Sequence, residues 1–515
     1  MKQTLTSAAA IAILTAVIGC GDDTPVDPFN DPLGHFQNYS TQYYEASLGT
    51  QSKEKSGNQS VYVDFSDGLV QAYTSETNKK VIDYISQKMV GSSVDWFGLG
   101  RKHDGVGKME YANDRDIYNK VISPGSYVDI MAPIEEALKK ISTANNDALL
   151  ITDFEEYTPD GKEQKYAYAK DYFTKWVESG NSITFYYSSY TETNRKSKLS
   201  GSKNLYFVIF NYGDVDENSL LTKFNKAIES RGLSELKKFE INPSPYSVSN
   251  DYGGKQKTGL TIDADIENKS ALEVGDKEGA LLYFHNAFLN SQRPFEAFEF
   301  GQNLNDLYDF YFKGNRRFAK KLFLNASNNN SYILKNIKVE VSDVTNDYIS
   351  FVRATEAKKN IPTLIKDEGN NDVWNESSMN DIMFECFEKN TKNLKKQYIY
   401  NYTPGSKISE LFDFDVTVFS DRLKNSPNEV ELITTFHKNF NGTFSNKEPV
   451  ILRIDYVIES TEENYSSQLG AFKWNSVINP NFVNESLSES IRNTLQAVKP
   501  KGILYSYYLK LEPTR

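Results

Sequence analysis

Between residues 60 and 250, short apolar runs alternate with stretches whose apolar residues recur every three or four positions. The runs Val61 to Val63 and Ala148 to Thr152 are typical of buried strands. The spacing of apolar residues from Ile134 to Ile141 predicts a helix, and Pro133 suits its first turn. Strands joined by helices of this length favour right-handed crossovers and a mainly parallel sheet that is covered on both faces. We therefore predict an α/β domain over residues 60–250.

Beyond a glycine-containing linker at 250–254, the period of the apolar residues drops to two, which is typical of half-buried antiparallel strands. A single helical pattern, from Leu487 to Val498, interrupts this alternation before a last strand. We predict a β-rich (α+β) C-terminal region over residues 255–515, built as one domain or as two that divide near 360–377. The alternating segments are Leu260 to Ile266, Ile337 to Val341, Phe412 to Val418 and Leu452 to Ile458.

The N-terminus has the features of an export signal. Lys2 is followed by an almost wholly apolar run from Ala8 to Ile18, which is too short to span a bilayer as a helix. The run ends in Val17-Ile18-Gly19-Cys20, which resembles the lipobox of bacterial lipoproteins. The resemblance implies that residues 1–19 are a signal peptide and that Cys20 is lipidated, anchoring the chain in the outer membrane. The alternative is a plain signal peptide or an N-terminal anchor that happens to hold a cysteine.

Residues 20–59 are predicted to be a tether. Gly21-Asp22-Asp23 makes an acidic start, which resembles the surface-export signal of Bacteroidetes lipoproteins and implies exposure at the cell surface. Otherwise the segment would be a solvated spacer on the periplasmic side. The stretch from His35 to Tyr44 is more aromatic, and we expect it to dock onto the folded part of the chain.

Composition narrows the classes of function. Cys20 and Cys386 are the two cysteines, so lipidation of Cys20 excludes a disulfide scaffold and leaves Cys386 as a core thiol. A net charge of -11 argues against nucleic acid as a partner. No second segment approaches eighteen uninterrupted apolar residues, so no further membrane span is expected.

One motif carries candidate chemistry. Asp64-Phe65-Ser66-Asp67-Gly68 follows the first predicted strand and resembles the Asp-x-Ser-x-Ser signature of von Willebrand factor A domains. Asp153 follows a second buried strand, at the place where the family has a further acidic residue. The resemblance implies a von Willebrand A-like fold for residues 60–250. It also implies a site for Mg²⁺ or another divalent cation, because such ions prefer oxygen ligands and ligands gather at the carboxyl ends of parallel strands.

The sequence departs from the signature at two positions. Gly68 stands where the family has a second serine, and Ala132 lies near the position of the family's threonine; Ser126 or Asp129 could replace that threonine if the loop is shifted. The predicted metal ligands are therefore Asp64, Ser66, Asp153 and Ser126. The alternative is that Asp64 and Ser66 only cap and turn the connection from strand to helix.

Enzymatic chemistry has weaker support. Glu155 and Glu156 could serve as acid and base, but the pattern favours a solvated loop. The four histidines lack metal-ligand spacing, and the chain has no nucleophile elbow or phosphate-binding glycine loop. We expect a lipoprotein that acts in binding or adhesion toward a protein or glycan ligand. The alternatives are a metal-free interaction or assembly scaffold and a carbohydrate-active hydrolase.

Overall fold

The fold is an α/β sheet followed by further β-sheets, seen in a computed structural model. The structure describes residues 39, 55–89, 94–101, 107–112, 116, 119–121, 131–157, 162–194, 198–233, 236–242, 245–249, 281–284, 295–300, 318–327, 331–408, 412–436, 450–477 and 481–511. The strands are β1 (Gln59–Asp64), β2 (Val94–Arg101), β3 (Gly107–Ala112), β4 (Ala148–Thr152), β5 (Ser182–Thr193), β6 (Ser200–Asn211), β7 (Lys237–Ile241), β8 (Ser247–Ser249), β9 (Leu281–Phe284), β10 (Phe295–Phe300), β11 (Phe318–Asn325), β12 (Tyr332–Asp343), β13 (Leu364–Lys366), β14 (Asp372–Trp374), β15 (Ser406–Ile408), β16 (Phe412–Phe414), β17 (Val430–Phe436), β18 (Val450–Glu463), β19 (Trp474–Asn475), β20 (Val483–Asn484) and β21 (Gly502–Leu511). The α-helices are α1 (Leu69–Thr74), α2 (Glu76–Met89), α3 (Ile134–Ile141), α4 (Lys170–Glu178), α5 (Leu220–Arg231), α6 (Thr345–Lys359), α7 (Asp381–Cys386), α8 (Val416–Asn425) and α9 (Ser486–Ala497). Short 3-10 helices lie at Glu376–Ser378, Lys396–Tyr398 and Leu469–Phe472.

The first sheet has seven strands in the order β3-β2-β1-β4-β6-β5-β7. β1 pairs in parallel with β2 and with β4, whereas the other four pairings are antiparallel. The sheet is thus mixed rather than mainly parallel, although the predicted alternation of strands and helices is confirmed. The reason is that β5 and β6 follow each other as a long hairpin, which forces them to run in opposite directions and inserts β6 between β4 and β5.

Both faces of the first sheet are buried, as predicted. One face carries Tyr62 and Leu150 and is packed against apolar side chains of α3, α4 and α9. The opposite face carries Val61 and Ile151 and is packed against α1, α2 and α5. The helix pattern from Ile134 to Ile141 is confirmed, because α3 has these bounds and buries its four apolar residues.

The C-terminal region contributes to this same core. Phe472 stacks on Tyr206 of β6, with ring centroids 5.6 Å apart and an angle of 15° between the planes. Leu487 and Ile491 of α9 are fully buried in the same cluster. The helical pattern predicted near the C-terminus is therefore confirmed, and its apolar face covers the first sheet.

Two further sheets confirm the β-rich character of the C-terminal region. One has the order β15-β12-β18-β21-β10-β9 and the other the order β16-β17-β11-β8. The strand predicted from Phe412 to Val418 is wrong in its second half, since β16 ends at Phe414 and α8 begins at Val416. Asp415 is the reason: its side chain accepts hydrogen bonds from the N–H groups of Thr417 and Val418 and caps the helix. The segment from Leu260 to Ile266 lies outside the described residues.

The chain divides into two compact units. The small unit consists of Tyr39 and residues 345–405, and the large unit holds the first sheet and the two later sheets. The small unit has its own apolar cluster, in which Trp374, Cys386 and Phe387 are buried. The prediction that Cys386 is a buried core thiol is confirmed.

A candidate site at the carboxyl edge of the first sheet

The two predicted ligand carboxylates follow neighbouring strands. β1 and β4 pair in parallel with Val63 beside Ile151, so Asp64 ends one strand at the same edge where Asp153 follows the other. Both side chains are buried, Asp64 completely. The sequence therefore correctly predicted that these two acids meet. The two carboxyl groups also interact electrostatically, because the charge of Asp153 is one cause, after burial, of the raised pKa of Asp64.

Protein donors occupy both carboxylate oxygens of Asp64. The N–H of Ser66 donates to Oδ1 at 2.8 Å, which closes a tight turn after β1. The hydroxyl of Thr152 donates to Oδ2 at 2.7 Å. Burial, followed by the charge of Asp153, raises the pKa of Asp64 to about 7. Ser66 thus interacts with Asp64 through its backbone and through its side chain, and Asp64 sits in a set of hydrogen bonds made by the protein.

Asp153 is held in a similar way. Its Oδ1 accepts from the N–H of Glu155 at 3.0 Å, and its Oδ2 accepts from the hydroxyl of Tyr190 at 3.0 Å. Phe154 between the two acids has a φ of 63°, a left-handed conformation that costs an L-residue about 1–2 kcal/mol. The ring of Phe154 is fully buried against Phe173. Packing therefore holds a strained turn that positions Asp153 and Glu155 side by side.

Lys203 supplies a buried positive charge that the sequence reasoning missed. Its ammonium lies 2.6 Å from Oε2 of Glu155, 2.5 Å from Oε2 of Glu192 and 3.8 Å from Oδ2 of Asp153. Only 1% of the Lys203 side chain is exposed. Burial lowers the pKa of Lys203, but the nearby carboxylates, Glu155 first, raise it by more. The ammonium is therefore a permanent cation inside the acidic cluster.

The β5–β6 hairpin explains why this lysine is there. Tyr190 pairs directly with Lys203, and Glu192 pairs with Gly201. Glu192 and Lys203 are diagonal neighbours on one face of the hairpin, within reach of long side chains. In the sequence, Glu192 and Lys203 are two charged residues on either side of residues 194–199. This placement becomes informative only once the pairing register of β5 and β6 is known.

Glu156 is buried and the side chain of Glu155 is only 10% exposed, which corrects the prediction of a solvated loop. Burial raises the pKa of Glu155 to about 7, because the ammonium of Lys203 offsets only part of the effect of burial. Glu156 accepts hydrogen bonds from the N–H groups of Ile134 and Glu135, at 2.7 and 3.1 Å, and so caps α3. Burial raises the pKa of Glu156 to about 8 despite these two donors. The two adjacent glutamates therefore have separate structural partners.

The positions that depart from the family signature have a steric explanation. A Cβ atom at Gly68 would lie 2.9 Å from Oε1 of Glu192, so a serine there would displace a carboxylate that pairs with Lys203. Ala132 is buried just before α3 and offers no side-chain oxygen. Ser126 lies outside the described residues. Of the four predicted ligands, the structure brings together Asp64, Ser66 and Asp153.

Charge is unbalanced in this cluster. The carboxylates of Asp153, Glu155 and Glu192 lie around the ammonium of Lys203, and Asp64 is close enough to feel the charge of Asp153. Burial first, and then the neighbouring negative charges, raise the pKa of Asp64 and of Glu155 to about 7, although Lys203 lowers that of Glu155. The arrangement is therefore suited to holding protons near neutral pH.

Other features add little to the site. Among the described residues, no group of three or more His, Cys, Asp or Glu side chains has an arrangement that could hold a metal ion. All four histidines lie outside the described residues. Within the described part of the chain, no helix combines the length and apolar character that crossing a membrane requires. Comparisons with protein-family models, with curated proteins and with solved structures return no match to this chain.

Proposed function

We propose that the protein is a lipid-anchored envelope protein of the outer membrane that acts in binding or adhesion, with a von Willebrand A-like domain that works as a metal-free scaffold. The lipobox-like end at Val17 to Cys20 supports the anchor, and the acidic start after Cys20 supports exposure at the surface. The neighbouring placement of Asp64 and Asp153 supports the likeness to the von Willebrand A fold.

A single observation carries the metal-free reading: protein groups already fill the positions that a cation would need. Both carboxylate oxygens of Asp64 and of Asp153 accept hydrogen bonds from donors of the protein itself. The ammonium of Lys203 lies among the acids, where it supplies positive charge without a bound ion. Gly68 and Ala132 lack the oxygens that would complete an octahedral shell. These residues fit poorly around a divalent ion.

Burial of the acidic side chains argues against catalysis at this edge of the sheet. A general acid or base has to come within hydrogen-bond distance of a substrate. Asp64 is fully buried, and the side chains of Lys203 and Glu155 are 1% and 10% exposed. Their role is therefore to fix β1, β4 and the β5–β6 hairpin, while a protein or glycan ligand binds elsewhere on the surface.

Calorimetry with Mg²⁺, Mn²⁺ and Ca²⁺ on the chain from residue 21 onward tests the metal-free scaffold. We expect no heat of binding at millimolar metal and a melting temperature that EDTA does not change. A bound ion at a hundredfold excess over its dissociation constant would instead stabilise the fold by about 2.7 kcal/mol. If that gain appeared and Asp64→Ala abolished it while Asp83→Ala did not, the site would be a metal site and the proposal would be overturned. Asp83 is a suitable control because it lies on α2, away from the strand ends.

The anchor has its own test. Cys20→Ala should abolish incorporation of a labelled fatty acid and release the protein from membranes. Protease added to intact cells should digest the parent protein if it is exposed at the surface. Unchanged labelling of the Cys20→Ala variant would remove the lipid anchor from the proposal, and full protection from protease would place the protein on the periplasmic side.

A further inference from the structure

The small unit binds a residue from the predicted tether. Tyr39 belongs to the stretch from His35 to Tyr44, and it is fully buried. Its ring packs against Tyr348, with centroids 5.2 Å apart, and against Phe351, with centroids 5.5 Å apart. Tyr348 and Phe351 are three positions apart in α6, so they share one face of the helix. The aromatic stretch therefore docks through at least one residue, as the sequence predicted.

A buried carboxylate holds the same tyrosine. The hydroxyl of Tyr39 donates to Oδ2 of Asp347 at 2.9 Å. Asp347 also accepts from the hydroxyl of Tyr400 at 3.0 Å and from the N–H of Thr403 at 2.8 Å. One carboxylate thus joins the tether to the start of α6 and to the C-terminal end of the small unit. Three donors, from Tyr39, Tyr400 and Thr403, therefore converge on one buried side chain.

The position of this junction along the chain gives it a consequence. Tyr39 is 19 positions after Cys20, whereas Lys55, the next described residue, is 35 positions after it. A fully extended chain spans at most about 65 Å over the shorter distance and about 120 Å over the longer one. Packing of Tyr39 against the small unit therefore roughly halves the number of residues between Cys20 and the first described residue.

We infer that Tyr39 fastens the tether to the small unit; we call this contact the latch. The lipid anchor then holds the small unit near the membrane surface through the 19 positions from Cys20 to Tyr39, which we call the leash. This inference rests on the lipid anchor of the proposed function. The interaction surface is the part of α6 that carries Asp347, Tyr348 and Phe351, and its occupant is Tyr39 of this same chain.

Energy transfer from a labelled protein to a lipid acceptor tests the leash. The donor is placed on Glu368→Cys, an exposed position on the turn between β13 and β14, in the lipidated full-length protein on liposomes. Cys386 is 5% exposed and should stay unlabelled under native conditions. A flexible Gly-Ser insertion of about twenty residues is placed either before Tyr39, within 24–33, or after it, within 49–54.

The expected result is asymmetric. The insertion before Tyr39 lengthens the leash and lowers energy transfer, whereas the insertion after Tyr39 leaves transfer unchanged. Tyr39→Ala should lower transfer by itself and make the two insertions equivalent. Tyr400→Phe is the matched control, because it removes one donor from the same oxygen of Asp347 without touching the tether. Neither insertion alters a residue of the small unit, so the comparison does not depend on the stability of a substituted protein.

The outcomes separate the latch from the anchor. Equal responses to the two insertions in the parent protein would show that Tyr39 does not fasten the tether, and the inference would fail. Absence of the protein from the liposomes would instead mean that the lipid anchor of the proposed function is missing.

Discussion

Buried acids occur at both ends of the parallel strands β1 and β4, and the two ends solve the problem differently. At the amino end, one carboxylate, Asp147, is fully buried. It accepts hydrogen bonds from the N–H groups of Tyr212 and Leu220, at 2.9 and 3.0 Å, and lies 3.3 Å from the ammonium of Lys55. At the carboxyl end, the carboxylates of Asp153, Glu155 and Glu192 surround the ammonium of Lys203, and the charge of Asp153 also acts on Asp64.

The two ends differ in how their buried negative charge is balanced. Asp147 caps the start of α5 and is matched by donors and by one positive charge, so its role is to join elements. The carboxyl-end cluster has more negative than positive charge in a buried setting, which makes it depend on protons or on Lys203. We therefore expect removal of the Lys203 ammonium at the carboxyl end to have a larger effect than removal of the Asp147 carboxylate.

The largest effect is expected from Lys203→Met. The substitution leaves Glu155, Glu192 and Asp153 without their cation, and breaking a buried ion pair in this way costs about 3–5 kcal/mol. Urea unfolding measures the loss, which should be smaller in acid, where the carboxylates take up protons. Lys238→Met is the control: its side chain is 43% exposed beside Glu240, and such surface pairs contribute about 0–1 kcal/mol. Equal losses in the two variants would contradict the central role of Lys203.

Asp147→Ala should cost about 2–3 kcal/mol, because it removes a charged acceptor from two backbone N–H groups and from Lys55. Urea unfolding of the parent protein and of the variant measures this loss. A loss larger than that of Lys203→Met would reverse the order of the two ends.

The stability of the folded protein should fall as the pH rises from about 4 to about 8. The folded-state pKa of Glu156 is about 8, and those of Asp64 and Glu155 are about 7, all raised from ordinary values near 4. The folded state therefore holds protons that the unfolded state has lost, so this contribution is complete below about pH 4 and disappears as the pH passes 7 to 8. Glu156→Gln keeps an acceptor for the start of α3 but cannot ionise, so its urea midpoint should fall less between about pH 5.5 and pH 8.5. A midpoint that rises over this interval in the parent would contradict the buried protons.

The smallest effect is expected from Gly68→Ser, at about 1–2 kcal/mol, because the new side chain must push the carboxylate of Glu192 aside. Gly470→Ser is the control, since a Cβ atom there would meet nothing within 4 Å. Thermal melts with and without millimolar Mg²⁺ measure both the cost and any gain of metal binding. A stable Gly68→Ser protein that responds to Mg²⁺ would show that only the missing serine keeps the site free of metal.

Some local features could be predicted because they depend on neighbouring residues alone. The helix face from Ile134 to Ile141 and the burial of Cys386 follow from apolar spacing and setting. Other local signals were misjudged. Asp415 ends the period-two pattern by capping a helix through the N–H groups of Thr417 and Val418, a local interaction that outweighs the strand pattern. Glu155 and Glu156 have the composition of a solvated loop, but contacts with residues distant in sequence, Lys203 and the start of α3, enclose them.

The sequence by itself determined that strands alternate with helices over residues 60–250, and that Asp64 and Asp153 each follow a buried strand. Apolar periodicity is sufficient for this, because burying one face requires a fixed spacing along the chain. Only the tertiary structure decided that β6 lies between β4 and β5 and that its Lys203 reaches the acids of the carboxyl end. Strand order and pairing register bring together residues that are fifty or more positions apart, and no local pattern of side chains specifies which of them will meet.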